Sequence, residues 1–536
     1  MTDTSSQPHY FLPQWIKASS EILTCDICVY GGTAAGVVAA CAAARLGQSI
    51  ILLHPGLHLG GMTTGGLGWT DYGRKHVIGG MSRQFYRGLG KHYGKDEEWH
   101  FAPSAAAMVM QRMIENCAFP VRLAQFLDRV HKEGNRIVAV SMLGGLTVRA
   151  KVFIDATYEG DLLAKAGVAY TVGREGNDVY GEKLNGVQVR STHQFSHPVD
   201  PYLVAGVPAS GLLPQIQPED QNPRQGQGDQ RVQAYNFRMC MTDDPALRIP
   251  WPKPKGFDPR QYLLATRWFN GPKDEYNEQL REGSALPCMF CVLPNLTPGG
   301  LHKTDSNNHG PISSDFIGAN WDWSESDYER REEIFQAHVV YQQGLYWHLA
   351  NDPAVPKRYR DAYAAWGLSR DEFGNTGNWP HQLYVREARR MVGDYVVTEH
   401  DCTGAQRAAD AVGMASYTMD SHNCARFVTV QDGKPTVRNE GDVQVPPTDP
   451  YPIPLRAVTP RTQHSANLVV PVCISASHIA YGSARMEPVF MVLGESAAHI
   501  AASALAQNCP VQAVDYPALK ADLLKAGQVL ELPGLQ

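Results

Sequence analysis

At 536 residues the chain is too long for one simple hydrophobic core, so two domains sharing a cleft are the default organisation. Charged residues make up 19% and the formal net charge is -6, which leaves no basic surface for nucleic acid. No run of eighteen apolar residues occurs, and the opening MTDTSSQPHYFLPQW has neither a basic nor an apolar leader region, so no membrane span and a cytoplasmic location are expected. Eleven scattered cysteines, an odd number, fit a reducing compartment better than a disulfide framework.

Residues 1–20 are polar with interspersed aromatics and are expected to run over the surface. An apolar run, Ile27 to Tyr30, then turns through Gly31, Gly32, Thr33, Ala34, Ala35 and Gly36 into an alanine-rich segment of strong helix propensity that reaches Arg45. A second strand at 49–53 completes a βαβ unit, the seed of a parallel sheet. In this unit Gly31 allows the sharp turn and Gly36 close helix packing, and the unpaired amides at the helix start suit a pyrophosphate. The fingerprint is imperfect, because Thr33 replaces the second glycine and His54 stands where a ribose-binding carboxylate is expected. A second glycine-dense loop, Leu59 to Gly68, follows, and its small residues allow close approach to a large flat ligand.

Helices are predicted at 83–93 and 105–116, then strands at 121–126, 136–142 and 146–150, and a return strand at 151–156. That strand ends in Asp155, Ala156 and Thr157, at the sheet edge where nucleotides sit; Glu159 and Asp161 beyond it read as a catalytic carboxylate pair or as the cap of a helix start. From about 169 to 379 proline, glutamine, asparagine and aromatics rise, with no second glycine fingerprint, and 215–233 is polar enough for a surface loop. Of two CxxC pairs, Cys25/Cys28 reads as strand packing and Cys288/Cys291 as packing or a redox pair. The loop 303–310 gathers hydrogen-bonding side chains shortly before Trp321 and Trp323, a combination that suits a hydroxylated molecule or, equally, an asparagine-rich turn beside core tryptophans. Helices at 329–349 and 356–366 lead to an alternating strand at 378–386, with His381, Leu383 and Val385 on one face and Gln382, Tyr384 and Arg386 on the other. An apolar strand at 467–474 precedes a loop containing His478, Tyr481 and Arg485, and Pro488 opens the helix 489–506. The tail from Asn508 is expected at the surface.

Four stretches, GGTAAG, LGGMTTGG, VFIDATYEGD and REARRMVGD, together resemble the FAD-dependent oxidoreductase family, some members of which carry the label xanthan lyase. The resemblance runs from Asp26 to about Gln507. It implies an α/β protein: a parallel-sheet, Rossmann-like FAD-binding domain with a β-meander, plus an inserted α+β substrate domain. The expected bounds are an N-terminal extension 1–20, FAD-binding parts 21–168 and 386–510, a substrate domain 169–385 and a tail 511–536. FAD is the implied cofactor, held by residues 31–36 (Gly31, Gly32, Thr33, Ala34, Ala35, Gly36), His54, the loop Gly60, Gly61, Met62, Thr63, Thr64, Gly65, Gly66, Leu67, then Arg122, Ala156, Thr157, Asp161, Glu487 and Val489. No metal site is expected. The helix after Glu487 would aim its positive end at the flavin and favour the reduced anion.

The expected reaction is hydride transfer from a polar small molecule, such as a sugar-like secondary alcohol, to flavin N5, with an unknown acceptor reoxidising the flavin. His478 is the first candidate base, with His309 and His381 as second choices; Arg485 and Arg386 complete the catalytic candidates. Arg485 reads either as a carboxylate anchor or as a loop salt bridge. Asn307, Asn308, Trp321 and Tyr481 are the substrate-binding candidates. His58, just before the second glycine loop, is a candidate for covalent flavin attachment or for plain packing. Two alternatives stand beside the leading function: flavin chemistry at a C–C or C–N bond, and a flavin electron-transfer protein.

Overall fold

A computed structural model of the chain describes residues 7–219, 224–272, 290–293 (backbone only) and 302–532. Its main sheet has seven strands, built around β1 (Ile22–Tyr30), which is apolar enough to be covered on both faces at its C-terminal end. Helix α1 (Ala34–Arg45) returns the chain to the parallel strand β2 (Ile50–Leu53). After the one-turn helix α2 (Gly61–Thr64) come α3 (Gly80–His92) and α4 (Pro103–Cys117). Strand β3 (Val121–Arg122) then adds to the edge of β2, and β4 (Leu127–Glu133), β5 (Arg136–Met142) and β6 (Thr147–Asp155) follow.

The meander differs from expectation at both ends. Its first strand is β4 rather than 121–126, which is only a short parallel edge, and its last two expected strands are one. The first half of β6 pairs antiparallel with β5 while its whole length pairs parallel with β1. Leu468–Val469 then pairs parallel with Phe153 and Ile154, filling the place β5 vacates.

Ten of the twelve α1 residues are buried, mostly alanines. Small side chains let α1 lie against the late helix Glu487–Gln507: a Cβ on Gly494 would stand 2.3 Å from the Ala35 carbonyl oxygen. That late helix is, among the described residues, the one long and apolar enough to cross a membrane, but 72% of its apolar window is buried inside this fold. Its hydrophobicity is that of a core helix.

The middle of the chain forms a five-stranded antiparallel sheet in the order Arg248–Ile249, Gly367–Ser369, Cys240–Thr242, Lys303–Ser306, Phe290–Leu293, with the long helix Tyr328–Asn351 beside it. Strand Ile216–Gln217 pairs with Ala425–Gln431, so the two sides of the expected boundary at 385/386 share a small sheet. Three expectations of surface exposure are corrected. Phe11 is buried near the N-terminus, Val232 and Gln233 are buried in the polar stretch, and the tail packs Leu519, Leu523 and Leu530 inward. In each case a few apolar side chains outweigh a polar local composition. The stretch 378–386 forms no ladder, although Tyr384 N–H donates to the Asn236 carbonyl. Cys25 and Cys28 are both buried in β1, whereas the side chains of the Cys288/Cys291 pair lie outside the described residues.

Candidate functional site

The glycine turn between β1 and α1 opens on a cavity of about 540 Å³ at the C-terminal edge of the sheet. Gly31 has φ 106°, a left-handed value, and its position leaves no room for a Cβ beside Ala156 and Thr157. Thr33 caps α1. Its hydroxyl accepts from the Gly36 amide at 3.3 Å and donates to the Ala156 carbonyl at 2.7 Å, pinning the helix start to the end of β6. His54 accepts the Gly32 amide on Nδ1 at 2.9 Å, which requires that nitrogen unprotonated. Burial pushes the His54 pKa down to about 4 and keeps it so. The imidazole at the place of the missing carboxylate thus holds the turn together. Amides of Thr33, Ala34 and Ala35 remain at a helix start that cannot pair them internally.

The second glycine loop is packed mainly against protein. A Cβ on Gly66 would lie 1.7 Å from the Arg238 carbonyl oxygen, so this glycine serves backbone contact with the inserted part. Thr64 donates to the Leu59 carbonyl and Leu67 is buried. The Met62 amide donates to the Tyr158 hydroxyl, which donates to Glu487 Oε1 at 2.7 Å, while the Thr63 hydroxyl donates to Glu487 Oε2 at 2.6 Å. The carboxyl of Glu487, expected at the cofactor, is thus buried at the start of the late helix with both oxygens bonded to protein hydroxyls; Val489 is buried as well. Burial raises Glu487 to about 7 against the hydrogen bonds from Thr63 and Tyr158.

Linkage gives that shift a sign. A carboxyl whose folded pKa lies above 4.5 binds more protons when folded, so its contribution is complete at acid pH and is lost as pH rises toward 7. Urea unfolding of the FAD-free chain at pH 5 and pH 8 should show wild type losing roughly 2–3 kcal/mol more than Glu487→Gln over that interval. Equal losses would reject the assignment.

The catalytic candidates do not converge on the cavity. His478 is buried, its Nδ1 against Glu387 at 2.8 Å and its Nε2 against the Ser421 hydroxyl at 2.9 Å. Glu387, His478 and Ser421 repeat the hydrogen-bond order of a nucleophilic relay, but Ser421 is 2% exposed and away from the cavity, so the chain of bonds is structural. Arg386 is held by Asp315 at 2.7 Å, and Arg485 by Asp420 at 3.0 Å and the Tyr384 hydroxyl at 2.9 Å. The loop salt bridge is thus the reading of Arg485 that the geometry carries. His309 lies edge-on to His193, also off the cavity, with its pKa lowered by burial.

The substrate candidates are likewise engaged elsewhere. Asn307 contacts Arg386 at 3.4 Å, Asn308 faces His193, Trp321 donates to the Cys424 carbonyl under Arg231, and Tyr481 is buried beside Phe490. Arg122 is on the outer edge strand, where its carbonyl accepts the His54 amide. Among the described residues no cluster suits a metal ion.

His381 does line the cavity. It stacks on His58 with ring centroids 4.1 Å apart, and His58 Nε2 meets Asn375 at 2.8 Å. Burial, then the neighbouring His58 and His54, push the His381 pKa well below its ordinary value, and its Nε2 is buried with no hydrogen-bond partner. The Glu159/Asp161 pair is split. Asp161 takes Arg331 on both oxygens, at 2.7 and 2.9 Å, and Arg389 at 2.9 Å, so it is neither cap nor cofactor ligand but a clamp between distant segments. Glu159 instead lines the cavity, and burial holds it above the usual carboxylate range, with Arg331 opposing.

Tyr158, Asn375, Thr376, Gln382 and residues of the segment Gln7–Trp15 also line the cavity and were not among the expected site residues. The aromatic content of HYFLPQW in an otherwise polar terminus was the available signal for the last of these.

The sequence profile of a protein family described as FAD dependent oxidoreductase matches residues 26–523. No curated protein matches the chain. Among solved structures, L-proline dehydrogenase from P. horikoshii is similar at 14% identity and TM-score 0.24, over 29% of this chain and 59% of that one. L-amino acid deaminase from Proteus vulgaris is similar at 11% identity and TM-score 0.24, over 30% and 54%. Thioredoxin reductase from T. acidophilum is similar at 20% identity and TM-score 0.18, over 25% and 34%. The chain thus spans less than two thirds of the length of each of these.

Proposed function

Given that the chain belongs to the FAD-dependent oxidoreductase family, an enzyme class whose coenzyme is FAD, we propose that it dehydrogenates a small, neutral, polar molecule such as a sugar-like secondary alcohol. The cavity residues fit the coenzyme. Gly31 and Thr33, at the glycine turn that opens α1, line it where a pyrophosphate would sit. When bound, FAD supplies a two-electron acceptor that takes a hydride at N5.

One observation carries the choice of substrate: among the described residues the cavity wall has hydroxyls, amides, imidazoles and the Glu159 carboxyl, but no lysine or arginine. The buried arginines nearby are already neutralised, Arg238 by Asp305, Arg386 by Asp315 and Arg485 by Asp420. Each such pair is far costlier to break than to leave intact, so no guanidinium fork is offered to a substrate carboxylate. This weighs against the alternative of flavin chemistry at a C–C bond where the substrate is a dicarboxylate. Of the three histidine candidates, His381 is the one on the wall; kept neutral, its Nε2 can accept the hydroxyl proton of an alcohol as the C–H bond breaks.

Anaerobic incubation of the FAD-loaded chain with sugars, hydroxy acids and amines tests the reading. Bleaching of the flavin by a neutral polyol is expected. Bleaching by carboxylates or amines alone, with every polyol inert, would overturn it.

A further inference from the structure

We propose that the segment Gln7–Trp15 is the outer wall of the coenzyme site, lying over the bound dinucleotide as a strap that Glu332 latches. The inference rests on the FAD assignment and extends it to a part of the chain outside the family match, which begins at residue 26.

Tyr10, Leu12 and Trp15 line the same cavity as Gly31, Thr33 and His54. Leu12 and Trp15 are only half-buried. A flat ring between them and the sheet edge would gain apolar contact that neither residue has now. The strap is fixed below and at both ends. Glu332, on the helix Tyr328–Asn351, accepts the amides of Tyr10 at 2.7 Å and Phe11 at 3.0 Å and meets His9 Nδ1 at 2.6 Å. Gln336, one turn on, donates to the Pro8 carbonyl at 2.9 Å. Phe11 is wedged against Phe126 and Tyr328, with ring centroids 4.8 and 5.8 Å away, and Tyr10 packs edge-on to Trp323 and accepts from Arg331 at 3.2 Å. At the far end the Ser19 amide donates to Gly144, in the turn between β5 and β6.

So many specific bonds on a short polar segment, made to residues more than 300 positions away, are more than a surface terminus needs. They hold its cavity-facing side chains in place. A wall that contacts the ligand and is held by a latch makes ligand release and latch strength interdependent, since each stabilises the state the other requires.

The full-length variants Trp15→Ala and Glu332→Gln separate contact from latch. Dissociation of FAD is followed by recovery of free-flavin fluorescence on dilution, and chymotryptic cleavage of the N-terminus is followed with and without FAD. Release about tenfold faster in each variant is expected, the scale of losing one aromatic face from a base or ring. FAD should also slow cleavage of the wild-type N-terminus. Trp15 is partly exposed, and thermal melting of each FAD-free variant, measured alongside, separates a folding defect from a lost contact with the coenzyme. Unchanged release in both variants, or cleavage indifferent to FAD, would overturn the strap while leaving the coenzyme intact. A wild-type chain that takes up no FAD would overturn the coenzyme assignment itself.

Discussion

Gly36→Ala is expected to yield a chain that holds no FAD and has lost about 3 kcal/mol or more of stability. A Cβ at this position would stand 1.8 Å from the Gly31 carbonyl oxygen and 3.2 Å from the Ala156 side chain. The atom in the way is backbone, in a turn that Gly31 N–H, the Gly32 amide and the Thr33 hydroxyl already fix from three sides. Relief must come from moving α1 outward, yet α1 is packed on its far side by the late helix through Gly494. Either movement displaces the amides meant for the pyrophosphate. Gly47→Ala is the control: its φ of 78° makes the substitution strained by about 1–2 kcal/mol, but nothing lies within 4 Å. It should keep the flavin. Flavin content after reconstitution and urea midpoints check both, and a yellow, stable Gly36→Ala chain would show that the turn can yield.

The turn was legible because its reasons are local. Two strands, an alanine-rich helix and glycines at fixed spacing lie within thirty or so residues and need no partner to be recognised. The sequence pattern also located the helix Tyr328–Asn351 and the late helix, the second of them from its apolar content. What could not be read is which distant group each polar side chain would find. His478 was assigned to the site from its neighbourhood before the late helix, but its ring is decided by Glu387, 91 positions earlier, and by Ser421. Asn307 and Trp321 were grouped as one polar and aromatic surface, yet their partners, Arg386 and the Cys424 carbonyl, lie in different segments. The strap escapes sequence reading for the same reason: the predicted helix carries Glu332, but nothing local marks it as the partner of amides more than 300 positions earlier.

Asp161→Ala is expected to cost about 3–5 kcal/mol, the scale of removing one partner from a buried ion pair. Asp161 is the single anion between Arg331, 1% exposed in its side chain, and Arg389, 9% exposed, so its loss leaves two buried guanidiniums facing each other. Arg389 would keep Glu325, whose side chain is 56% exposed and so a weaker partner, and Arg331 would keep the carbonyls of Trp323 and Ser324. These bonds satisfy donors without cancelling charge. The pH dependence separates this defect from simple loss of packing. Burial alone would raise the Asp161 pKa, but Arg331 and Arg389 more than offset it, so the folded value lies below 3.8. Its contribution is then fully present above the unfolded value and is lost only as pH falls through the folded one. The part of the gap that the Asp161 charge carries should therefore close only in acid below about pH 4, opposite in direction to the Glu487 effect. Urea unfolding across that range measures it. A gap under about 1 kcal/mol at neutral pH would mean that Asp161 does not carry the charge that holds these segments together.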